Sequence, residues 1–203
     1  MPLYQVLEKQ DCKLAIWRIE EDADWFDQHF YTPEISHEKK LLQWYATRHL
    51  VNHLCGEQVE VIKDEFGKPL IANSFTNLSL THTALFAGAL ISDKHEVGID
   101  LEMISPKVER IAPKFLKPEE LAAIEPEEKI EKLILLWSAK EALYKLHGRR
   151  RLEFKSQLLI EPFEMQQSGE MRGSVIAPDM HETGLRVHYE FFQDHVLTYV
   201  VGR

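Results

Sequence analysis

The sequence VGIDLE at positions 97–102 constrains the fold of this chain more than any other stretch. In an extended strand successive side chains point to opposite faces, so its valine, isoleucine and leucine fall on one face. Asp100 and Glu102 fall together on the other face. Two carboxylates held side by side repel each other unless a cation or a proton lies between them. The stretch therefore predicts a strand with one core face and one acidic, functional face.

A third acid, Glu141, stands in the wrong place for a solvated side chain. Residues 129–147 read as a long helix, in which Glu141 falls inside an apolar stripe with Lys145 one turn beyond. The opposite side of this helix is also apolar, so we expect it to be covered on both sides. A buried carboxylate is costly unless it is paired or bound to a metal. Two interpretations stand side by side: an internal ion pair between Glu141 and Lys145, or a metal site.

The residue types of the second interpretation select the metal. Asp100, Glu102 and Glu141 offer three carboxylates and no sulfur or imidazole ligand. Such a set suits a hard cation, and positions left open for water and substrate oxygens favour Mg²⁺ over Zn²⁺. A magnesium ion held in this way is typical of a site that handles phosphate groups.

The order of strand and helix patterns predicts an α+β fold of two similar halves, each an antiparallel sheet packed with a long helix. In the first half, Ser36 can cap the helix and Gly56 can end it in a left-handed turn. The long helix of the second half is followed by four strand patterns. We place the halves at residues 1–96 and 97–203.

Composition excludes several classes of function. The chain has 203 residues with 24 basic and 33 acidic side chains, a net charge of −9. This charge argues against a general nucleic-acid binder. No apolar run is long enough to span a bilayer, and the first residues lack a basic start followed by an apolar run. We therefore expect a cytoplasmic protein that binds no nucleic acid and no membrane.

The motifs around these acids resemble those of a known family. The stretches VGIDLE at 97–102, KFLKPEE at 114–120 and WSAKEALYK at 137–145 are similar to the signature blocks of the 4'-phosphopantetheinyl transferase superfamily. A weaker resemblance extends upstream through FGKP at 66–69 and SLTHT at 79–83. The length resembles the Sfp-like branch, in which one chain forms two halves related by a pseudo-two-fold axis and acts as a monomer.

The resemblance implies an activity and its partners. It implies an enzyme that moves the 4'-phosphopantetheine group from coenzyme A to a serine of an apo acyl or peptidyl carrier protein. The reaction depends on Mg²⁺ and releases adenosine 3',5'-bisphosphate. Coenzyme A is thus expected as substrate, with its nucleotide contacts in the first half and the metal-binding strand and helix in the second.

The resemblance also implies roles for single residues. Asp100, Glu102 and Glu141 match the metal-binding acids, and either glutamate is a candidate base for the serine proton, directly or through water. Lys145 matches a lysine at the reacting phosphates. The positions that match nucleotide-phosphate contacts are Arg48, Lys68 and His82. The sequence departs from the family pattern at Ser79, where relatives often have asparagine.

Two other classes of function share some of these features. A protein of the same fold could bind coenzyme A or a carrier protein without catalysis, although a pure binder has no need of three costly acids. A metal-dependent phosphodiesterase would use the same carboxylates. For docking of a carrier protein, we expect the basic loop 149–151 and the surface near Phe115 and Leu116 to serve.

Overall fold

The strands of this protein form two antiparallel sheets that divide the chain. The computed structural model describes residues 3–9, 11–27, 33–149 and 151–203. The strands of the first sheet are β1 (Leu3–Lys9), β2 (Cys12–Arg18), β3 (Val61–Lys63), β4 (Pro69–Ile71), β5 (Asn77–His82) and β6 (Phe86–Ser92). Those of the second sheet are β7 (Val97–Met103), β8 (Leu158–Ile160), β9 (Ser168–Ala177), β10 (Met180–Phe192) and β11 (His195–Val201).

Five helices accompany the described strands. They are α1 (Ala23–Asp27), α2 (Glu38–Cys55), α3 (Ala112–Phe115), α4 (Pro118–Ala122) and α5 (Lys129–His147). Short 3₁₀ turns precede α3 and α5. The two long helices, α2 and α5, each end at a glycine in the left-handed conformation, Gly56 and Gly148. Glycine adopts this conformation without the steric cost that a Cβ would add.

The first sheet has the order β1-β2-β6-β5-β4-β3 and packs against α2. Alternate side chains of β2 point to opposite faces of this sheet. On one face, Ala15 and Trp17 belong to the core shared with α2. Leu14 and Ile16, on the other face, belong to a second core. Both faces of the strand are therefore buried, which explains why β2 carries almost no polar residue.

The second sheet has the order β7-β11-β10-β9-β8 and packs against α5. The helix contributes a fully buried row to the core between them, including Leu135, Leu143 and Leu146. Because β7 lies at the edge of this sheet, one side of its backbone is left without a strand neighbour.

The two sheets meet face to face through the apolar side chains of β7. Ile99 and Leu101 pack with residues of β2 and β6 in a common core. The free backbone edge of β7 is satisfied by side chains of β5: Ser79 Oγ accepts from the Ile99 N–H at 3.1 Å, and Thr81 Oγ1 accepts from the Leu101 N–H at 3.0 Å. Hydroxyl groups thus join the two sheets where strand pairing stops.

The predicted fold class is confirmed: the protein is α+β, with two antiparallel sheets that are each packed with a long helix. The predicted helix 129–147 is also confirmed at both ends. The cap predicted at Ser36 is wrong, because the N-cap of α2 is His37 and its side chain makes no capping bond. The first strand, Leu3–Lys9, was not predicted, since its alternating residues are only half-buried at a sheet edge.

Candidate active site

Gly98 allows α5 to lie directly against the acidic face of β7. A Cβ at this position would overlap the carbonyl oxygen of Ala142 and would lie 2.8 Å from the backbone nitrogen of Leu146. Only glycine leaves room for such a close approach of helix and strand. Since Gly98, Asp100 and Glu102 share one face of β7, this contact turns both acids toward the helix that carries Glu141.

Asp100 is buried at this junction and is held by Lys145. The ammonium group of Lys145 donates to Asp100 Oδ1 at 2.8 Å and to the Ile99 carbonyl oxygen at 2.9 Å. The hydroxyl of Thr81 lies 3.5 Å from the same carboxylate oxygen. The second oxygen, Oδ2, is buried and has no hydrogen-bond partner among the described residues. A buried carboxylate oxygen without a partner is a costly arrangement that a cation would relieve.

Glu102 is oriented by an aromatic side chain of α5. The indole N–H of Trp137 donates to Glu102 Oε1 at 2.8 Å, and the indole ring stacks on Phe154 at 5.3 Å between centroids. Burial raises the pKa of Glu102, and the charge of Asp100 raises it further. The side chain is therefore fixed in direction and electrostatically coupled to its neighbour on the strand.

Glu141 is half-buried and makes no ion pair or hydrogen bond within the described part of the chain. Burial raises its pKa to about 7, and the charges of Asp100 and Glu102 also raise it while Lys145 lowers it. The alternative of an ion pair between Glu141 and Lys145 is wrong, because Lys145 pairs with Asp100. Glu141 thus experiences the field of both strand acids without a partner of its own.

The three carboxylates interact but do not form a ready-made metal cluster. Within residues 3–9, 11–27, 33–149 and 151–203, no group of three or more His, Cys, Asp and Glu side chains is close enough to hold a metal. The donor types nevertheless fit a hard cation: all are carboxylates, Asp100 Oδ2 lacks a partner, and Glu141 has an elevated pKa. The residues present are therefore compatible with Mg²⁺, whose binding would draw the three acids together.

A cavity of about 540 Å³ opens beside this acidic junction and is lined mainly by cationic and aromatic residues from both halves. All four basic or imidazole side chains predicted from the sequence line it: Arg48, Lys68, His82 and Lys145. They come from α2, the β3–β4 turn, β5 and α5, so the fold brings together residues that are far apart in the chain. The same cavity has further cations that were not predicted to contact a nucleotide: Lys40, Lys63 and Arg149.

Lys68 is partly neutralised within the protein. Its ammonium group pairs with Glu96, and it also donates to the Leu146 carbonyl oxygen at 3.2 Å. A Cβ at Gly148 would overlap the Lys68 side chain, so the glycine that ends α5 also makes room for this lysine. An anion that binds at Lys68 must therefore compete with Glu96.

The other predicted cations have distinct surroundings. The Arg48 guanidinium lies 4.6 Å from the ring centroid of Trp44, a cation–π arrangement that fixes its direction. Burial lowers the pKa of His82, and the positive charge of Lys145 lowers it further. The lowered pKa favours the neutral form of His82.

The basic loop is held from the far side by Asp179, in the turn between β9 and β10. Asp179 pairs with Arg149 at 2.6 Å and lies 3.0 Å from the Nε2 atom of buried His147. Arg150 lies outside the described residues. Sequence reasoning missed this contact because Asp179 stands in an unremarkable turn, and no signal in the sequence connects it with the loop.

The docking surface predicted at Phe115 and Leu116 is wrong. Both side chains are buried, at 0% and 2% exposure, in the core beneath α5. The backbone at Phe115 is held by Lys140, a fully buried lysine. Its ammonium group donates to the Phe115 and Phe154 carbonyl oxygens at 2.7 and 3.0 Å. The apolar residues of this motif therefore stabilise the fold below the site.

Fold and site together define a two-half α+β protein with three acids at a strand–helix junction, next to a cavity lined by cations. The model of the 4'-phosphopantetheinyl transferase superfamily matches residues 96–200, and the chain belongs to this superfamily.

Curated relatives agree with this assignment. The chain is 30% identical over 112 residues to the 4'-phosphopantetheinyl transferase AcpT of Escherichia coli (strain K12), a match that covers 52% of this chain and 57% of the relative. It is 29% identical over 122 residues to a 4'-phosphopantetheinyl transferase of Bacillus subtilis, covering 58% of this chain and 52% of that protein. The matches thus span about half the length of these relatives.

Among the described residues, none of the helices combines the length and the apolar character that a membrane crossing requires.

Proposed function

We propose that this protein is a Mg²⁺-dependent 4'-phosphopantetheinyl transferase. It transfers the 4'-phosphopantetheine group from coenzyme A to a serine of an apo acyl or peptidyl carrier protein and releases adenosine 3',5'-bisphosphate. Membership of the superfamily and the names of the relatives support this reaction.

One observation carries the proposal: Lys145 belongs to both parts of the site. Its ammonium group pairs with Asp100 at the acidic junction, and its side chain lines the cation-rich cavity. A phosphate group bound in that cavity near Lys145 would lie next to the carboxylates. Metal ligands and phosphate ligands would then act on the same diphosphate.

The cavity suits the nucleotide end of coenzyme A. That part of the molecule carries a diphosphate and a 3'-phosphate, and positively charged groups in a partly enclosed site bind such anions strongly. We assign Arg48, Lys68 and His82 to these phosphates, with His82 as a hydrogen-bond donor. Binding of a phosphate at Lys68 replaces its contact with Glu96.

The metal ligands in this proposal are Asp100, Glu102 and Glu141. These three carboxylates would hold the ion, which would supply positive charge to offset the negative charge that develops on the leaving group. Asp100 Oδ2 and the Glu141 carboxylate, which have no partners in the described structure, are the groups that gain most from its binding.

In the transfer step, the serine oxygen forms a bond to the phosphorus atom that carries the pantetheine arm. The bond from that phosphorus to the oxygen of the adenosine-side phosphate breaks, and the electron pair leaves with adenosine 3',5'-bisphosphate. The serine proton passes to Glu102 or Glu141, directly or through water. A carboxylate beside the reacting hydroxyl suits such a base, and Lys145 holds the transferred phosphate in place.

The remaining parts of the proposal concern organisation. Residues 1–96 supply the coenzyme A nucleotide contacts and residues 97–203 supply the metal-binding strand and helix. The protein acts as a monomer in the cytoplasm, binds neither nucleic acid nor membrane, and meets the carrier protein partly through the basic loop that Arg149 begins. Light scattering of the purified chain tests the monomeric state.

Mass spectrometry of the carrier tests the activity directly. Incubation with coenzyme A, Mg²⁺ and an apo carrier protein should add one phosphopantetheine mass to the carrier. Chelation of the metal should stop the reaction. If several apo carriers stay unmodified and calorimetry shows no coenzyme A binding, the proposal is wrong; tight coenzyme A binding without turnover would point to the non-catalytic alternative.

A further inference from the structure

A second concave surface, separate from the candidate active site, lies where β9, β10 and the end of β11 meet the first sheet. We call it the arginine groove, after Arg172, Arg186 and Arg203, which line it. Its volume is about 940 Å³, and it shares no lining residue with the cavity beside the acidic junction. The groove therefore needs an explanation of its own.

Like charges face each other directly in this groove. Arg172 on β9 and Arg186 on β10 are cross-strand partners in the antiparallel ladder. Side chains at such positions stand about 5 Å apart at their Cβ atoms, and like charges directly opposite each other destabilise a sheet. The pair therefore has a cost in the absence of an anion, within a chain whose net charge is −9.

The third arginine is brought to the pair by a glycine. β10 contains a register shift between Glu182 and Leu185, where Gly184 adopts a φ of +67°. Arg203 Nη2 donates to the Gly184 carbonyl oxygen at 3.2 Å. A Cβ at Gly184 would lie 3.4 Å from Arg203 Nη2 and 3.6 Å from Arg172 Nη1. Two guanidinium groups thus converge over one glycine, next to the third.

The carboxylates of the groove do not neutralise these arginines. Asp11 pairs with Lys94 at 2.6 Å, and Glu170 lies 3.1 Å from the Nδ1 atom of His188. In the described part of the chain, none of the three arginines has a carboxylate oxygen within 4.0 Å. Each guanidinium group offers five N–H donors, and apart from the bond from Arg203 to the Gly184 carbonyl oxygen these donors are left for a ligand.

We propose that the arginine groove binds a small oxyanion of the phosphate class, such as inorganic phosphate or a phosphate monoester. Guanidinium groups match the oxygens of such an anion in paired hydrogen bonds. Asp11 and Glu170 at the rim would repel a broad acidic protein surface, so the charge pattern favours a compact anion centred on the arginines. The proposal does not depend on the transferase activity.

A titration with inorganic phosphate tests the site in the whole protein. In nuclear magnetic resonance spectra, the Gly184 and Gly202 amides report on the groove, and Gly67 and Gly148 report on the active-site cavity. We expect saturable shifts at Gly184 and Gly202 that chloride at equal ionic strength does not produce. Shifts confined to Gly67 and Gly148, or shifts that chloride reproduces, would overturn the proposal.

Single substitutions show which side chains bind the anion. Arg172→Gln and Arg186→Gln should each weaken phosphate binding in the groove by about tenfold, as expected for the loss of a charged hydrogen-bond partner. The matched control is Arg110→Gln, an exposed arginine outside the groove. Unchanged affinity in both groove variants contradicts the assignment.

Thermal unfolding provides a second test, in which Arg172→Gln should affect the melting temperature differently without and with phosphate. In low-salt buffer without phosphate, Arg172→Gln should raise the melting temperature, because it removes the like-charge pair. In saturating phosphate the wild type should gain stability by mass action and the variant should gain less. An arginine with only a structural role would lower the melting temperature under both conditions and leave the phosphate effect unchanged, which would overturn the proposal.

Discussion

The acidic junction and the cavity beside it are built in opposite ways. At the junction, backbone packs on backbone: Gly98 of β7 lies against Ala142 of α5, and this contact fixes the two elements that carry the acids. In the cavity, long cationic side chains reach in from several elements of both halves, and Lys68 and Arg149 already have partners in Glu96 and Asp179. The acids lie on two adjacent elements and only Asp100 has an ion-pair partner, whereas the cations are spread and partly neutralised.

This difference shows which part of the site destabilises the folded protein. Carboxylates forced together raise each other's pKa and destabilise the metal-free state. Cations on flexible stems exchange one partner for another at small cost. We therefore expect loss of an acid at the junction to lower activity strongly without lowering stability, and changes in the cavity to alter coenzyme A binding moderately.

The largest effect on transfer activity should come from Glu141→Gln. Loss of this acid removes a proposed metal ligand and candidate base, so transfer should fall by at least about a hundredfold, the lower range for loss of a general base. Stability without metal should stay equal or rise, because the crowded charge is gone. Turnover assays and urea unfolding measure the two quantities.

The control for this variant is Glu131→Gln, an exposed acid on the same helix, which should leave both quantities unchanged. Full activity of Glu141→Gln would disprove the proposed role of this residue in transfer.

Gly98→Ala should have the largest effect on stability. The added methyl group overlaps the Ala142 carbonyl oxygen, which is backbone and cannot rotate away. Overpacking of this kind costs about 3 kcal/mol or more. The control Met103→Ala, at the half-exposed end of the same strand, should cost less than about 1 kcal/mol. Equal midpoints of urea unfolding for the two variants would show that the contact is not rigid.

A moderate effect on coenzyme A binding is expected for Lys68→Gln. Loss of one phosphate contact should raise the Michaelis constant for coenzyme A by about tenfold with little change in the turnover number. Glu96→Gln, which releases Lys68 from its internal partner, should lower the same constant by a few-fold at low salt. If Glu96→Gln instead raises it, the pair positions Lys68 and does not compete with the substrate.

The smallest expected effect is on the pH dependence of the free energy of unfolding. The pKa of Glu141 is about 7 in the folded protein, against an ordinary value of 4.5, so at Glu141 the native state binds more protons than the unfolded state between these values. The contribution of Glu141 to the free energy of unfolding of the metal-free protein should therefore be lost as the pH rises from about 4.5 to about 7. Comparison of unfolding curves should show this contribution missing in Glu141→Gln and retained in Glu131→Gln. Identical curves for all three proteins would exclude Glu141 as the cause.

Local signals predicted the second half of the fold and the acids of the site. The alternation in 97–102 identified the buried and acidic faces of β7, and the apolar residues on both sides of 129–147 identified a helix covered on two sides. These predictions succeeded because periodicity records burial directly. The roles of the site residues in binding and catalysis stay predictions.

Contacts between distant residues could not be predicted in the same way. The partner of Lys145 is Asp100 rather than its helical neighbour Glu141, because the approach of β7 to α5 brings the aspartate closer. Lys140 is buried because two backbone carbonyl groups accept from it, and carbonyl groups leave no trace in a sequence. Phe115 was mistaken for surface since a motif shows which residues occur together, not which way they point.

The hydroxyl groups of Ser79 and Thr81 have a consequence for any attempt to divide the protein. They cover the edge of β7, which in an isolated second half would expose its unpaired N–H groups beside the apolar side chains of Ile99 and Leu101. Such an uncovered strand edge recruits other strands and promotes aggregation. The first half thus protects this edge of the second half. A fragment that begins at β7 should precipitate unless the missing sheet is supplied.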